Sequence, residues 1–161
     1  MTYEIREAGP GDVDAIVAFG AEVIPTHYEP ILGREAARAQ LDWWTPDRMA
    51  TGVAAGRVHV VTADETLVGV CETGEHDGRQ VVWKLYLAAD HRGRGIGPAL
   101  LHQAIADLPT QEADVEVEHV AGNTAAARFY ERHGFQVVRT DPPAAGLPPE
   151  HAIVWRRLRR P

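Results

Sequence analysis

The sequence predicts a mixed α/β (α+β) domain, with a mostly antiparallel sheet of about seven strands flanked by about four helices. Three observations carry this. Short stretches rich in Val, Ile, Trp and Tyr alternate with segments whose apolar residues recur at helical spacing. Glycine, proline and aspartate punctuate the boundaries between them. The 161 residues, 45% hydrophobic and 24% charged, fit one globular domain spanning 1–161 with a core of its own.

Each element follows in order. Tyr3 to Ala8 reads as a strand, broken by Gly9-Pro10-Gly11-Asp12, which caps a helix with Val13, Ile16, Val17, Gly20, Val23 and Ile24 on one face. Pro25 to Gly33 reads as a loop holding His27, Tyr28 and Glu29. Helices over Arg34 to Trp44 and Asp47 to Ala55 follow. Arg57 to Ala63 and Thr66 to Glu75 form a hairpin turning at Asp64-Glu65, and Asp77-Gly78 leads into a strand from Gln80 to Leu87. Alternation in that strand puts Val81, Trp83, Leu85 and Leu87 on one face, and Val82, Lys84 and Tyr86 on the other. Gly97, Leu100, Leu101, Ala104, Ile105 and Leu108 mark a helix, and Pro98 is compatible only with its first turn. Asp114 to Val120 is a strand, Asn123 to His133 a helix closed by Gly134, and Phe135 to Thr140 and Ala152 to Leu158 are two last strands.

The formal net charge of −7, from 16 basic and 23 acidic side chains, argues against nucleic-acid binding, which rests on a basic surface. A single cysteine, Cys71, excludes an internal disulfide and a multi-cysteine metal site, so no metal is expected. The N-terminal residues lack the apolar core of a signal peptide and no apolar run approaches membrane-spanning length, so the expected location is cytoplasmic, with no membrane partner.

The chemistry gathers in DHRGRGIGPALLHQAI, Asp90 to Ile105, where glycines alternate with Arg94 and Ile96 at the start of a helix. A helix N-terminus presents unpaired N–H groups and partial positive charge, glycine lets an oxyanion approach them, and Arg92 and Arg94 add forked donors. The stretch reads either as a solvated turn or as a pyrophosphate cradle. It is not a Walker loop, having no Gly-Lys followed by Ser or Thr, and Pro98 stands where a dinucleotide fingerprint needs its third glycine.

A second motif, VEHVAGNTAAARFYERHGF from Val117 to Phe135, decides between these readings. R-x-x-G-x-G after one strand, paired with N-x-x-A-x-x-F-Y-x-x-x-G-F after the next, resembles the GNAT superfamily of acetyl-CoA-dependent N-acyltransferases. WKLYL, Trp83 to Leu87, ahead of HRGRGIG is similar to its bacterial small-molecule members.

The resemblance implies the acyl-CoA N-acyltransferase fold, acetyl-CoA as co-substrate and a small amine as acceptor, with a homodimer as a possible assembly. It places the pyrophosphate on backbone N–H groups of Arg92, Gly93, Arg94, Gly95, Ile96 and Gly97, with Arg92 at the family's Gln/Arg position. It assigns the pantetheine arm and the thioester carbonyl to the backbone of Leu85, Tyr86 and Leu87, an oxyanion-hole role. Asn123 matches the family's cofactor-contacting Asn, and Tyr130 the tyrosine that protonates the leaving thiolate. Many members carry a glutamate on the strand before the loop; Gln80 to Leu87 has none, and Lys84 occupies the polar face. The candidate bases are Glu72, Glu118, His119 or a water path to solvent.

For the acceptor, the helices near the N-terminus bring Glu22, Glu29 and Asp42 together with Tyr28, Trp43 and Trp44, a set suited to a cationic amine. Two other functions are compatible with the motifs: a non-catalytic acyl-CoA-binding regulatory module, and acetylation of a protein N-terminus. Tyr130 favours an enzyme, because a binding module needs no acid there.

Overall fold

The computed structural model describes residues 1–111 and 113–160. The strands are β1 (Tyr3–Glu7), β2 (Val58–Ala63), β3 (Thr66–His76), β4 (Arg79–Leu87), β5 (Val115–Val120), β6 (Gln136–Asp141) and β7 (Ile153–Leu158). The helices are α1 (Val13–Leu32), α2 (Arg34–Ala39), α3 (Pro46–Ala54), α4 (Ile96–Ala106) and α5 (Thr124–Arg132). The strands make one sheet in the order β1-β2-β3-β4-β5-β7-β6. Every pairing is antiparallel except β4 with β5. The expected mixed, mostly antiparallel architecture is therefore present, with five α-helices among the described residues.

Local chemistry sets the meander from β1 to β4. The β2–β3 and β3–β4 hairpins turn on two residues each, Asp64-Glu65 and Asp77-Gly78, all at positive φ, as tight hairpin turns that match strand twist require. Each face of the sheet carries its own apolar cluster. Ile16, Ile24, Met49, Val58, Val60 and Val70 pack on the side of α1 to α3. Val61, Cys71, Val82, Leu100, Val117 and Phe135 pack on the side of α4 and α5.

Two local expectations are corrected. Pro25 to Gly33 is not a loop: α1 runs through Pro25 and Pro30 and stops at Gly33, whose φ is 82°. Each interior proline costs about 3 kcal/mol. The buried face Ile16, Gly20, Ile24, Tyr28 and Leu32 repeats every four residues straight across both prolines. Burial of Ile24 and Leu32, at about 1.5–3 kcal/mol each, is of the same order as that penalty. Alternation also fails within β4. Glu72 pairs with Lys84 but Thr73 pairs with Val82, so Trp83 is an extra, bulged residue. Val82 therefore packs with Leu85 and Leu87, while Tyr86 packs on the opposite face.

The single parallel pairing positions the site. β4 and β5 pair only over Gln80↔Val115, Val81↔Glu116 and Val82↔Val117. Beyond Val82 the two strands part, and their ends face each other across a cleft.

Candidate active site

Between the parted strands lies a cleft of about 200 Å³. Leu85, Tyr86 and Leu87 line it from β4, Glu118 and His119 from β5, and Asn123 and Tyr130 from the start and end of α5. Arg92 and Gly97 stand at its far end. A second cavity of about 1000 Å³ opens on the side of α1 to α3, and Glu72 lies there instead. The two share Tyr28, Trp83, Tyr86, Glu118 and His119 as a common wall.

The glycine stretch folds as its composition demands. Gly93 and Gly95 have φ of 75° and 79°, and Gly95 caps α4. Apart from the adjoining residues, no described atom comes within 4 Å of where a Cβ would stand on either, so the approach to the first turn of α4 is open. That turn leaves its N–H groups without helical partners. An anionic pyrophosphate fits this cradle, because the open approach, the free donors and the guanidinium groups coincide. Arg94 Nη1 donates to the Tyr3 hydroxyl at 3.4 Å, and that hydroxyl also lies 3.0 Å from His91 Nδ1, so the loop is tied back to β1. Arg92 Nη2 reaches the Leu87 carbonyl at 3.3 Å.

Asn123 does two jobs. Its Oδ1 caps α5 by accepting from the Ala126 N–H at 3.2 Å, and its Nδ2 donates to His27 Nε2 at 3.2 Å. The cap fixes which way the amide points, and His27 reaches across from α1 to hold it there. His27 must be neutral to accept, and burial together with nearby Arg92 keeps its pKa below the ordinary imidazole value. The sequence pattern alone places His27 in a loop, so this contact depends on α1 continuing through Pro25.

Tyr130 is buried between Phe129, Phe135 and the His119 ring. Burial raises its phenol pKa far above the usual value, so the hydroxyl keeps its proton. Among the described residues that hydroxyl has no hydrogen-bond partner.

The three candidate bases sit in different surroundings. His119 Nδ1 donates to the Val120 carbonyl at 2.9 Å, and its Nε2 accepts from Arg156 Nε at 3.0 Å. Both nitrogens are thus used, and burial lowers its pKa. Glu72 is ion-paired to Lys84. Glu118 has no ion pair among the described residues and stands on the shared wall. Burial pushes its pKa above the usual carboxylate range, an effect partly offset by nearby His76.

The expected acceptor carboxylates are not in the cavity. Glu22, Glu29 and Asp42 are exposed and line neither space, because α1 and the turn after α2 direct them to solvent. Tyr28, Trp43 and Trp44 do line the larger cavity, with Asp47, Glu72 and Glu118 as its carboxylates. Two arginines of β7 make buried contacts: Arg157 pairs with buried Glu116 at 2.7 Å, and Arg156 holds His119.

Similarity to known proteins agrees with this geometry. Residues 54–137 match the acetyltransferase (GNAT) domain. The mycothiol acetyltransferase of Propionibacterium freudenreichii subsp. shermanii is 32% identical over 142 residues, which cover 81% of this chain and 42% of that protein. The chain therefore spans less than half the length of that curated relative. The crystal structure of the PaiA N-acetyltransferase of Thermoplasma acidophilum in complex with coenzyme A superposes with a TM-score of 0.84 at 19% identity, covering 99% of each chain. The ribosomal-protein alanine N-acetyltransferase of Escherichia coli superposes with a TM-score of 0.72 at 16% identity, covering 98% of this chain and 93% of that one. No helix among the described residues is long and apolar enough to cross a membrane. With just over half of its length matched by the family domain, and the parted β4–β5 cleft and the glycine cradle both in place, the chain belongs to the GNAT acetyltransferase family.

Proposed function

We propose that the protein transfers the acetyl group of acetyl-CoA to a primary amine by direct attack, with both reactants held at once. The observation that carries this reading is the shared wall. A narrow cleft ending at an anion cradle and a wide cavity meet at Glu118, His119, Trp83, Tyr28 and Tyr86, so two reactants entering from opposite sides converge there. Such convergence turns an encounter of two molecules into an oriented reaction, the largest saving available to a group-transfer site.

In this reading the backbone N–H groups over residues 92–97 hold the pyrophosphate, the backbone of Leu85 to Leu87 holds the arm and polarises the thioester carbonyl, and Asn123 contacts the arm. Acetyl-CoA supplies an activated acetyl carbon. Glu118 takes the proton that the acceptor nitrogen loses as its C–N bond forms, either directly or through one water. Its freedom from ion pairing and its raised pKa favour it over Glu72, which Lys84 occupies, and over His119, whose nitrogens are both engaged. Tyr130 gives its proton to the sulfur as the C–S bond breaks, and is reprotonated from solvent.

The test is to mix the protein with acetyl-CoA and a panel of amines and to follow free thiol. Amine-dependent thiol release supports the reading. Tight acetyl-CoA binding with no thiol release from any amine overturns it in favour of an acyl-CoA-binding module.

A further inference from the structure

Lys84 is the only lysine in the sequence, although Lys and Arg together number 16. It projects from β4 into the larger cavity, 8% exposed, at a position directly across from Glu72 on β3. The two side chains form an ion pair, and Lys84 Nζ lies 5.2 Å from the centroid of the Trp44 ring. On its other side Glu72 packs against α3 at Gly52, where a Cβ would overlap the carboxylate. The chain thus gives up a side chain on α3 to seat this carboxylate.

A buried ion pair is a poor source of stability, since desolvating two charges costs as much as their attraction returns. This pair also faces an open cavity and not a closed core. The ammonium has three N–H donors, and Glu72 is its only hydrogen-bond acceptor among the described residues. Trp44 covers one side, so remaining donor capacity is directed at whatever occupies the cavity. The cation is a poor neighbour for a second ammonium group. The cavity also has no surplus of carboxylates: Asp47, Glu72 and Glu118 are matched by Arg48, Arg57 and Lys84.

We infer that the Glu72–Lys84 pair reads a carbonyl or carboxylate oxygen carried next to the acceptor nitrogen, so that the acceptor is an α-amino carbonyl compound, an amino acid or a peptide amino terminus, and not a simple alkylamine or a polyamine. The inference rests on the acetyltransferase reading above. The acceptor amine faces Glu118 at the shared wall, its oxygen takes the free donor of Lys84, and the rest of the molecule extends toward Trp43 and Arg48 at the rim, where the guanidinium lies 4.7 Å from the Trp43 ring centroid.

The experiment compares matched acceptors with acetyl-CoA: a free amino acid, its amide, a dipeptide beginning with it, and the alkylamine that lacks only the carbonyl group. The wild type is expected to favour at least one carbonyl-bearing acceptor over the alkylamine by tenfold or more in kcat/KM. Which member of the series leads tells a free amino acid from a peptide terminus. Lys84→Met combined with Glu72→Met removes the ammonium without stranding a charge or adding a new donor. It is expected to bring the two kinds of acceptor to parity through acceptor KM, leaving acetyl-CoA affinity and thermal midpoint near wild type. Lys84→Arg, which keeps a donor, is expected to retain part of the preference. Turnover with no preference in the wild type, or a preference that survives the double substitution, overturns the inference while the acetyltransferase reading stands. Absence of turnover with every acceptor overturns both.

Discussion

The two cavities that meet at Glu118 are built by different means. The narrow cleft is placed by backbone features: the separated ends of β4 and β5, the capped start of α5, and at its far end the start of α4 beside two left-handed glycines. The wide cavity is made of side chains from the turn after α2, α3, β3, β4 and β5, residues far apart in the chain. In the proposed reading backbone donors serve the cofactor, and they need glycine and a helix terminus at set spacing. In the same reading side chains serve the acceptor, and no fixed spacing records them. Family likeness therefore speaks for the narrow cleft, whereas the acceptor has to be read from Lys84, Glu72 and the tryptophans.

Four experiments press on this division. The largest effect is expected at the junction. Glu118→Gln keeps the shape but cannot take a proton, and kcat should fall about a hundred- to ten-thousandfold, the span of general-base catalysis, with acetyl-CoA affinity unchanged. In the wild type the rate should rise with pH as Glu118 loses its proton, at a pH above the usual carboxylate range, because burial favours the protonated form. A rate independent of both substitution and pH would move the base to the water path.

Next comes Tyr130→Phe, which keeps the buried ring and removes the hydroxyl. Turnover should fall roughly ten- to a thousandfold, the lower part of the range for acid catalysis, since water can substitute. Equal turnover would make Tyr130 a packing residue beside Phe129 and Phe135.

Gly95→Val tests the backbone cavity alone. A β-branched residue at φ of 79° is strained by roughly 1–2 kcal/mol, and relieving that strain would move the cradle. Acetyl-CoA affinity, measured by calorimetry, should drop about tenfold by the same arithmetic, with acceptor KM untouched. Unchanged affinity would place the pyrophosphate elsewhere.

The smallest effect belongs to His27. His27→Ala frees the Asn123 amide, and His27→Gln keeps an acceptor for it. Losing one neutral hydrogen bond of about 1 kcal/mol predicts several-fold weaker acetyl-CoA binding for the first and near wild-type binding for the second. The folded protein holds the imidazole pKa below its ordinary value, so the contact contributes fully above that value and is lost as pH falls through the lowered one. Acetyl-CoA binding should therefore weaken on acidification in the wild type and less so in His27→Gln. Identical pH profiles would sever His27 from the cofactor.

Sequence by itself determined the order of elements, the two hairpin turns, the cradle at Gly93 and Gly95, the cap at Asn123 and the aromatic position of Tyr130. These depend on neighbours in the chain, through φ preference, helical period and capping, and such local physics is written in adjacent residues. Tertiary structure decided the rest. It drew α1 through Pro25 and Pro30, because burial of Ile24, Tyr28 and Leu32 offsets the local penalty of the two prolines. It inserted the bulge at Trp83, which moved Val82 to the other face. It left Glu22, Glu29 and Asp42 in solvent, tied up His119 with Arg156, and set Glu118 free on the wall between two cavities. A carboxylate's role depends on which distant groups come within a few ångströms of it after folding, and only the packed structure holds that information.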